Sequence, residues 1–378
     1  MRTFDTALAE TLDRIRTAVA ERTPLRFRGG GSKDFYGAAL HGEVLDTRPL
    51  QGVMSYEPSE LVVTVGAGTP VVELEALLAD QGQSLPFEPP HFSWSAPDAS
   101  TVGGMVAAGL AGPARASVGG VRDYVLGVQM VNGQGEHLTF GGQVMKNVAG
   151  YDVSRLMVGA MGTLGLMTHI SLKVLPRAPA EATLSFELPQ TQALEQLHRW
   201  GGEPLPLNAS SWVPDATGNA AQGTLCVRLR GAVAAVEAAS QRMLRDAPGQ
   251  RLDMPPAQAH WAQCRHQQHP FFQRPDDGNL ALWRVSVPQT TAAMALPWAQ
   301  LVEWHGALRW AWAPEAAAAQ LQKLAQEAGG NATIFIAAHA GSTGARGNFH
   351  SQSDAVNAVT ERLKLAFDPH GIFNPGRL

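Results

Sequence analysis

Three adjacent glycines, Gly29, Gly30 and Gly31, stand in the stretch LRFRGGGSKDFYG (25–37), between Arg28 and a Ser32–Lys33 pair. Glycine loses more conformational freedom on folding than any other residue, so a run of three is costly unless the bare backbone is needed there. A surface turn requires one such residue, or two. A loop of unshielded amides beside a guanidinium, a hydroxyl and an ammonium suits a different purpose. Its N–H groups can converge on phosphate oxygens, with Arg28 and Lys33 adding charge and Ser32 a donor. The two common nucleotide loops are disfavoured. No G-x-x-x-x-G-K-[ST] pattern occurs, and the segment GAGTPV (66–71) has Val71 where a dinucleotide fold places its third glycine.

The other glycines are unevenly placed: of 39 in 378 residues, fifteen fall between Thr101 and Gly165. Thr101, Val102, Gly103 and Gly104 open a small-residue segment on which a flat or extended ligand can lie. For residues 107–112 alone, close helix packing through alanine and glycine is the competing reading. Gly162, Thr163, Leu164 and Gly165 form a tight turn feeding a strand.

The rest of the chain reads as a mixture of strands and helices. Phe4, Leu8, Leu12, Ile15 and Val19 mark an amphipathic helix. Residues 61–68 are a strand, followed by a helix that Thr69 caps and Pro70 enters, with Val71, Leu74 and Leu78 on one face. Residues 125–140 read as a hairpin turning at Asn132-Gly133, and 167–176 as a strand. After a boundary near 176–182, strand and helix patterns alternate in the order expected of one sheet with helices on one face, an α+β layer. Eight of the nine tryptophans follow residue 199. A closing helix has Val356, Val359, Leu363 and Phe367 as its buried side.

Bulk properties narrow the function. At 45% hydrophobic and 16% charged the chain is globular. A net charge of -4 gives no basic surface for nucleic acid. Cys226 and Cys264 are too few for a disulfide framework or an iron–sulfur cluster, which fits a cytoplasmic setting. Acidic residues near the start argue against a signal peptide, and no apolar run approaches the ~20 residues that span a bilayer.

Taken together, Arg28 to Ser32 (RGGGS), Thr101 to Gly104 (TVGG), GGVRDYVLG (119–127), GYD (150–152), GTLG (162–165) and the closing DPHGIFNPGRL (368–378) resemble the vanillyl-alcohol-oxidase-type, or PCMH-type, FAD-binding flavoproteins. The segment RGGGSKDFYG is similar to the FAD-binding subunits of bacterial glycolate oxidase in particular. The resemblance implies an α+β fold: a two-part FAD-binding domain over 1–178, a smaller ferredoxin-like cap over 179–345, and a helix and tail over 346–378 that pack back on the first domain. It implies that Arg28, Gly29, Gly30, Gly31, Ser32 and Lys33 wrap the FAD pyrophosphate. Thr101, Gly103 and Gly104 then face the pyrophosphate and ribityl chain. Gly162, Thr163 and Gly165 lie near the flavin beside strand residues 167–170, and Asn374 reaches the ring edge. With no histidine in the first loop, FAD is expected to be noncovalent. Val118 replaces a frequent tyrosine, and Ala160-Met161 a frequent Ser-Glu pair.

The chemistry is less legible. Oxidation of a 2-hydroxy acid needs a base, a cation for the carboxylate and a flavin to accept hydride. Related dehydrogenases carry a metal-binding H-x-G-D-G-N-x-H segment; here HAGSTGARGNFH (339–350) keeps His339 and His350, lacks the aspartate and is longer. The expectation is a glycine-rich loop without metal. His339, Arg346 and His350 are candidates for chemistry, Arg346 as a carboxylate binder, with no catalytic residue assigned. His260, Cys264, His266 and His269 are similarly read as a polar helix rather than a metal site. The implied function is glycolate oxidation to glyoxylate in a complex with a second flavin subunit and an iron–sulfur subunit. Any membrane association, at the inner face of the cytoplasmic membrane, would come through those partners. The alternatives are a self-sufficient FAD oxidoreductase for another hydroxy acid or alcohol, and a non-catalytic assembly subunit.

Overall fold

The computed structural model describes residues 3–39, 41–93, 99–142, 151–215, 222–339 and 352–377. Two antiparallel sheets organise them. The first has five strands in the order Val53–Glu57, Val62–Gly66, Leu166–Lys173, Val125–Val131 and His137–Gly141. Val62–Gly66 is buried at every position, as its unbroken apolar run requires of an inner strand. Helices Val71–Asp80 and Val102–Ala108 bring Val71, Leu74, Leu78, Val102, Met105 and Val106 into the core of this sheet. Beside it, Leu25–Arg28 pairs in parallel with Glu43–Asp46 and presents the glycine loop at its end. The first helix, Phe4–Glu21, buries Ala7, Ile15 and Ala18 against Leu25, Ile372 and Phe373, so the C-terminal tail packs back beside the first strand.

The second sheet has eight strands in the order Gln250–Arg251, Ala180–Glu187, Gly223–Gly231, Leu207–Pro214, Gln300–Glu303, Leu308–Pro314, Leu280–Ser286 and Asn331–Ile336. Alternation along Gly223–Gly231 sends Leu225, Val227 and Leu229 toward helices Gln190–Gly201 and Val233–Asp246. Helix Ala318–Glu327 covers the far end of the same sheet. Helix Met254–His266 instead packs through Trp261 and Cys264 on Cys226, an alternate residue of the same strand, so the helices are not all on one face.

The two sheets meet through an aromatic layer and a buried ion network. Tyr36, Phe92 and Met161 from the first unit pack with Trp304, Trp310, Trp312 and Phe335 from the second. Glu88 accepts from Arg228 at 2.7 Å with both oxygens, from Arg230 at 2.9 Å and from the Ala114 amide at 3.1 Å. Burial alone would raise the Glu88 carboxyl, but the charges of Arg228 and Arg230 outweigh it and hold it below the ordinary range.

Three local expectations are corrected. Thr69 does not cap Val71–Asp80; Pro70 takes that position, and the Thr69 hydroxyl is engaged by the Gly52 amide at 3.0 Å. The hairpin after Val125–Val131 turns over a wider loop, with Asn132 Oδ1 accepting from Gln134 and Glu136 at 3.0 Å and Gly135, not Gly133, in the left-handed region. In helix Asp354–Phe367, Val356 and Val359 are 46% and 56% exposed. Only its last turns, through Leu363 and Phe367, touch the first core.

Candidate functional site

Strand Leu25–Arg28 ends where the Arg28 carbonyl accepts from Thr47 at 3.0 Å, and the chain then turns into Gly29, Gly30 and Gly31. A Cβ on Gly30 would fall on the Ala99 carbonyl, so this backbone lies against a second backbone with no room for a side chain. Among the described residues, no hydrogen bond leads from the amides of Gly30, Gly31 or Ser32 to another element.

Opposite stands the start of helix Val102–Ala108, capped by Thr101, whose hydroxyl accepts from the Gly104 amide at 3.2 Å. A Cβ on Gly104 would meet nothing nearer than that hydroxyl at 3.2 Å, so its open side faces free space. The third wall is the turn at Gly162, with φ of 76° and its Cβ position occupied by the Asn374 amide. Asn374 ties three segments together. Its Oδ1 accepts from the Phe27 amide at 2.8 Å, its Nδ2 donates to the Met161 carbonyl at 2.6 Å, and its own amide donates to the Leu25 carbonyl at 2.9 Å.

These segments line one open cleft, with about 800 Å³ of empty space when its mouth and the adjoining solvent are counted. Arg28, Gly29, Gly30, Gly31, Ser32, Lys33, Thr101, Gly103, Gly104, Gly162, Gly165 and Asn374 all line it. Of the residues expected there, Thr163 is the exception: its hydroxyl turns back to the Ala160 carbonyl at 2.7 Å. The cleft also contains residues that sequence reasoning missed. Ala67, Ala107, Ala108, Met161 and Leu166 form smooth apolar walls, and Arg377 adds a third cation. Arg377 donates to the carbonyls of Ala38 and Lys33, and burial lowers its pKa to about 10. No sequence signal pointed to it, because its partners are more than 300 positions away.

The charge in the cleft is positive: Arg28, Lys33 and Arg377 against Asp34, which holds Arg28 at 2.8 Å. Amides without acceptors, small residues and excess positive charge fit an extended diphosphate ligand with a flat ring, which is the shape and charge of FAD.

Of the candidates for chemistry, the described residues include His339 alone. His339 is exposed and does not line the cleft; Arg346 and His350 lie outside the described residues. The histidines near 260–269 diverge. His260 Nε2 lies 2.7 Å from Ser211 Oγ and 3.6 Å from Cys264 Sγ. His266 Nδ1 accepts from the His91 amide at 3.3 Å, and His269 Nδ1 from the Phe271 amide at 3.2 Å.

Comparison with known proteins gives this geometry a context. A family model described as an FAD binding domain matches residues 6–141. The chain is 42% identical over 367 residues to the glycolate oxidase subunit GlcE of Escherichia coli (strain K12), covering 97% of this chain and 96% of that protein. It is 32% identical over 178 residues to the glycolate oxidase subunit GlcD of Bacillus subtilis (strain 168), covering 46% of this chain and 37% of that one. Among solved structures, an alkyldihydroxyacetonephosphate synthase superposes with a TM-score of 0.65 at 17% identity, over 97% of this chain and 74% of that chain. At that identity it shows a shared fold only.

Proposed function

The chain belongs to the GlcE-type family of glycolate oxidase subunits, FAD-dependent oxidoreductases of a multi-subunit complex, and from that premise we propose that the cleft holds its FAD and that the complex oxidises glycolate to glyoxylate. The observation that carries this reading is the convergence of three distant glycine stretches on one cationic cleft whose loop amides have no protein acceptor among the described residues.

In this reading the amides at 29–32 and the Thr101–Gly103–Gly104 corner hold the diphosphate, with Arg28 and Lys33 supplying charge. The turn containing Gly162, Thr163 and Gly165, pinned by Asn374, shapes the ring end. Bound FAD supplies the acceptor for the electron pair removed from the hydroxyl-bearing carbon of a 2-hydroxy acid. The chain's part is to bind and orient it; the apolar walls Ala107, Ala108 and Met161 exclude water from its surface. The two sheets support a division into an FAD-binding unit over 1–178, a cap over 179–345 and a returning tail over 346–378. The partners we propose are a second flavin subunit and an iron–sulfur subunit that carries the electrons onward, with any membrane contact made through them on the cytoplasmic side. Among the described residues no helix is long and apolar enough to cross a membrane.

The test is anaerobic addition of glycolate to the complex of this chain with its flavin and iron–sulfur partners, while flavin absorbance is recorded. Bleaching of the oxidised flavin band is expected. A complex carrying flavin in both subunits that glycolate leaves oxidised would refute the assignment of substrate.

A further inference from the structure

Lys33 has an unusual setting for a cation. Its ammonium donates to Ser100 Oγ at 2.8 Å and to Ser32 Oγ at 3.2 Å and lies 5.6 Å from the centre of the Phe92 ring. No carboxylate among the described residues pairs with it. The acid of its own loop, Asp34, is held by Arg28 at 2.8 Å and lies 3.7 Å from Arg26. From the C-terminal tail, the guanidinium of Arg377 approaches the Lys33 carbonyl at 3.3 Å. Tyr36 follows in the same loop, and Ser100 contributes a hydroxyl. Among the described residues, the groups around Lys33 are therefore two hydroxyls, an aromatic ring, three arginines and one acid already engaged.

A charge so placed is poorly stabilised, and burial lowers the Lys33 pKa to about 7. The hydroxyls make either protonation state acceptable, because a hydroxyl accepts from an ammonium and donates to a neutral amine. Among the described residues no anion pairs with Lys33, and Lys33 lines a cleft that would receive one.

We propose that Lys33 takes up a proton from solvent when a diphosphate-bearing cofactor enters the cleft, so that this chain binds FAD together with one hydrogen ion. This rests on the reading of the cleft as the FAD site. The sign follows from linkage. An anion in the cleft favours the charged lysine and raises its pKa in the bound form. Below about pH 7 the lysine is charged in both forms and affinity is flat; above it, binding must take up the proton and affinity falls by up to about tenfold per pH unit. The diphosphate keeps its charge throughout this range. A permanently charged side chain removes the dependence.

The experiment is calorimetric titration of the flavin-stripped full chain with FAD, in pairs of buffers of different ionisation enthalpy, from about pH 6 to about pH 9. The buffer difference counts protons directly and needs no turnover. Expected are close to one proton taken up near pH 8, close to none near pH 6, and a dissociation constant that rises across that interval. Lys33→Arg should bind FAD with no proton uptake and a flat profile, and Lys33→Met should bind more weakly and without uptake. Tight FAD binding by the unaltered chain with no proton uptake at any pH would overturn the role of Lys33 and leave the cofactor site standing. Failure to bind FAD at all would overturn both. The unaltered chain alone decides the matter if a variant does not fold.

Discussion

Gly30→Ala should leave the chain folded and without flavin. The added methyl would land on the Ala99 carbonyl, a backbone atom that cannot rotate away as a side chain would. The loop must then shift, and overpacking of this kind costs about 1–3 kcal/mol or more. The displacement moves the amides of Gly30, Gly31 and Ser32 away from positions that serve only a ligand, since they have no protein acceptor among the described residues. Affinity for FAD should drop at least about a hundredfold, because each 1.4 kcal/mol is tenfold. The melting temperature of the flavin-free protein should fall by about 1–4 °C, which leaves the chain folded at room temperature. Flavin absorbance per protein after desalting is the measurement. Unaltered flavin content in Gly30→Ala would mean that this loop does not hold the cofactor.

Glu88→Gln should destabilise the whole molecule. The side chain of Glu88 is 13% exposed and that of Arg228 3%, so neither can turn to water when the other is neutralised. Removing one charge from a buried pair costs about 3–5 kcal/mol, since the remaining ion is left uncompensated. Glutamine keeps an acceptor for Arg228, which puts the expected loss at about 3 kcal/mol and the fall in melting temperature at roughly 4 °C for a chain of 378 residues. The network joins the two sheets, so thermal unfolding should also become less cooperative, the second unit separating first. The same pair predicts acid sensitivity. A carboxyl held below its ordinary pKa contributes stability that is present above the unfolded value and is lost as pH falls through the folded one. Glu88→Gln should therefore lose less stability on acidification below about pH 4.5 than the unaltered chain.

What could be read from the sequence was local. Gly29, Gly30 and Gly31 were legible as residues of a cleft because the reason for three bare residues lies in the loop itself. Strand Val62–Gly66 and the helix after it were legible because period and burial agree there. What could not be read depends on distant contacts. Asn374 pins Phe27 and Met161, and Arg377 reaches Lys33, only because the tail returns beside the first strand. The clamp at Glu88 is equally silent, since its arginines are about 140 positions away. Val356 and Val359 misled because periodicity tells which residues share a helix face and not what covers that face. Strands Gln300–Glu303 and Leu308–Pro314 are joined by a turn that places Trp304, His305 and Gly306 at φ of 55°, 56° and 99°, and only the glycine of the three marks a turn in the sequence.

The same limit applies to the chemistry. The cleft is written in short motifs, whereas groups for substrate chemistry would have to come from several elements at once. His339 does not line the cleft. The aromatic layer of Phe92, Trp310 and Phe335 lies where the two sheets face each other. Lys33, adjoining that layer, is the cleft residue whose charge answers most directly to what the cleft contains.

The most direct test of the account is the cofactor itself: the purified full chain, its visible absorption spectrum, and identification of any flavin released on denaturation. The account predicts a yellow protein with close to one FAD per chain, all of it released into solution when the protein is denatured. A colourless chain that takes up no added FAD would contradict it.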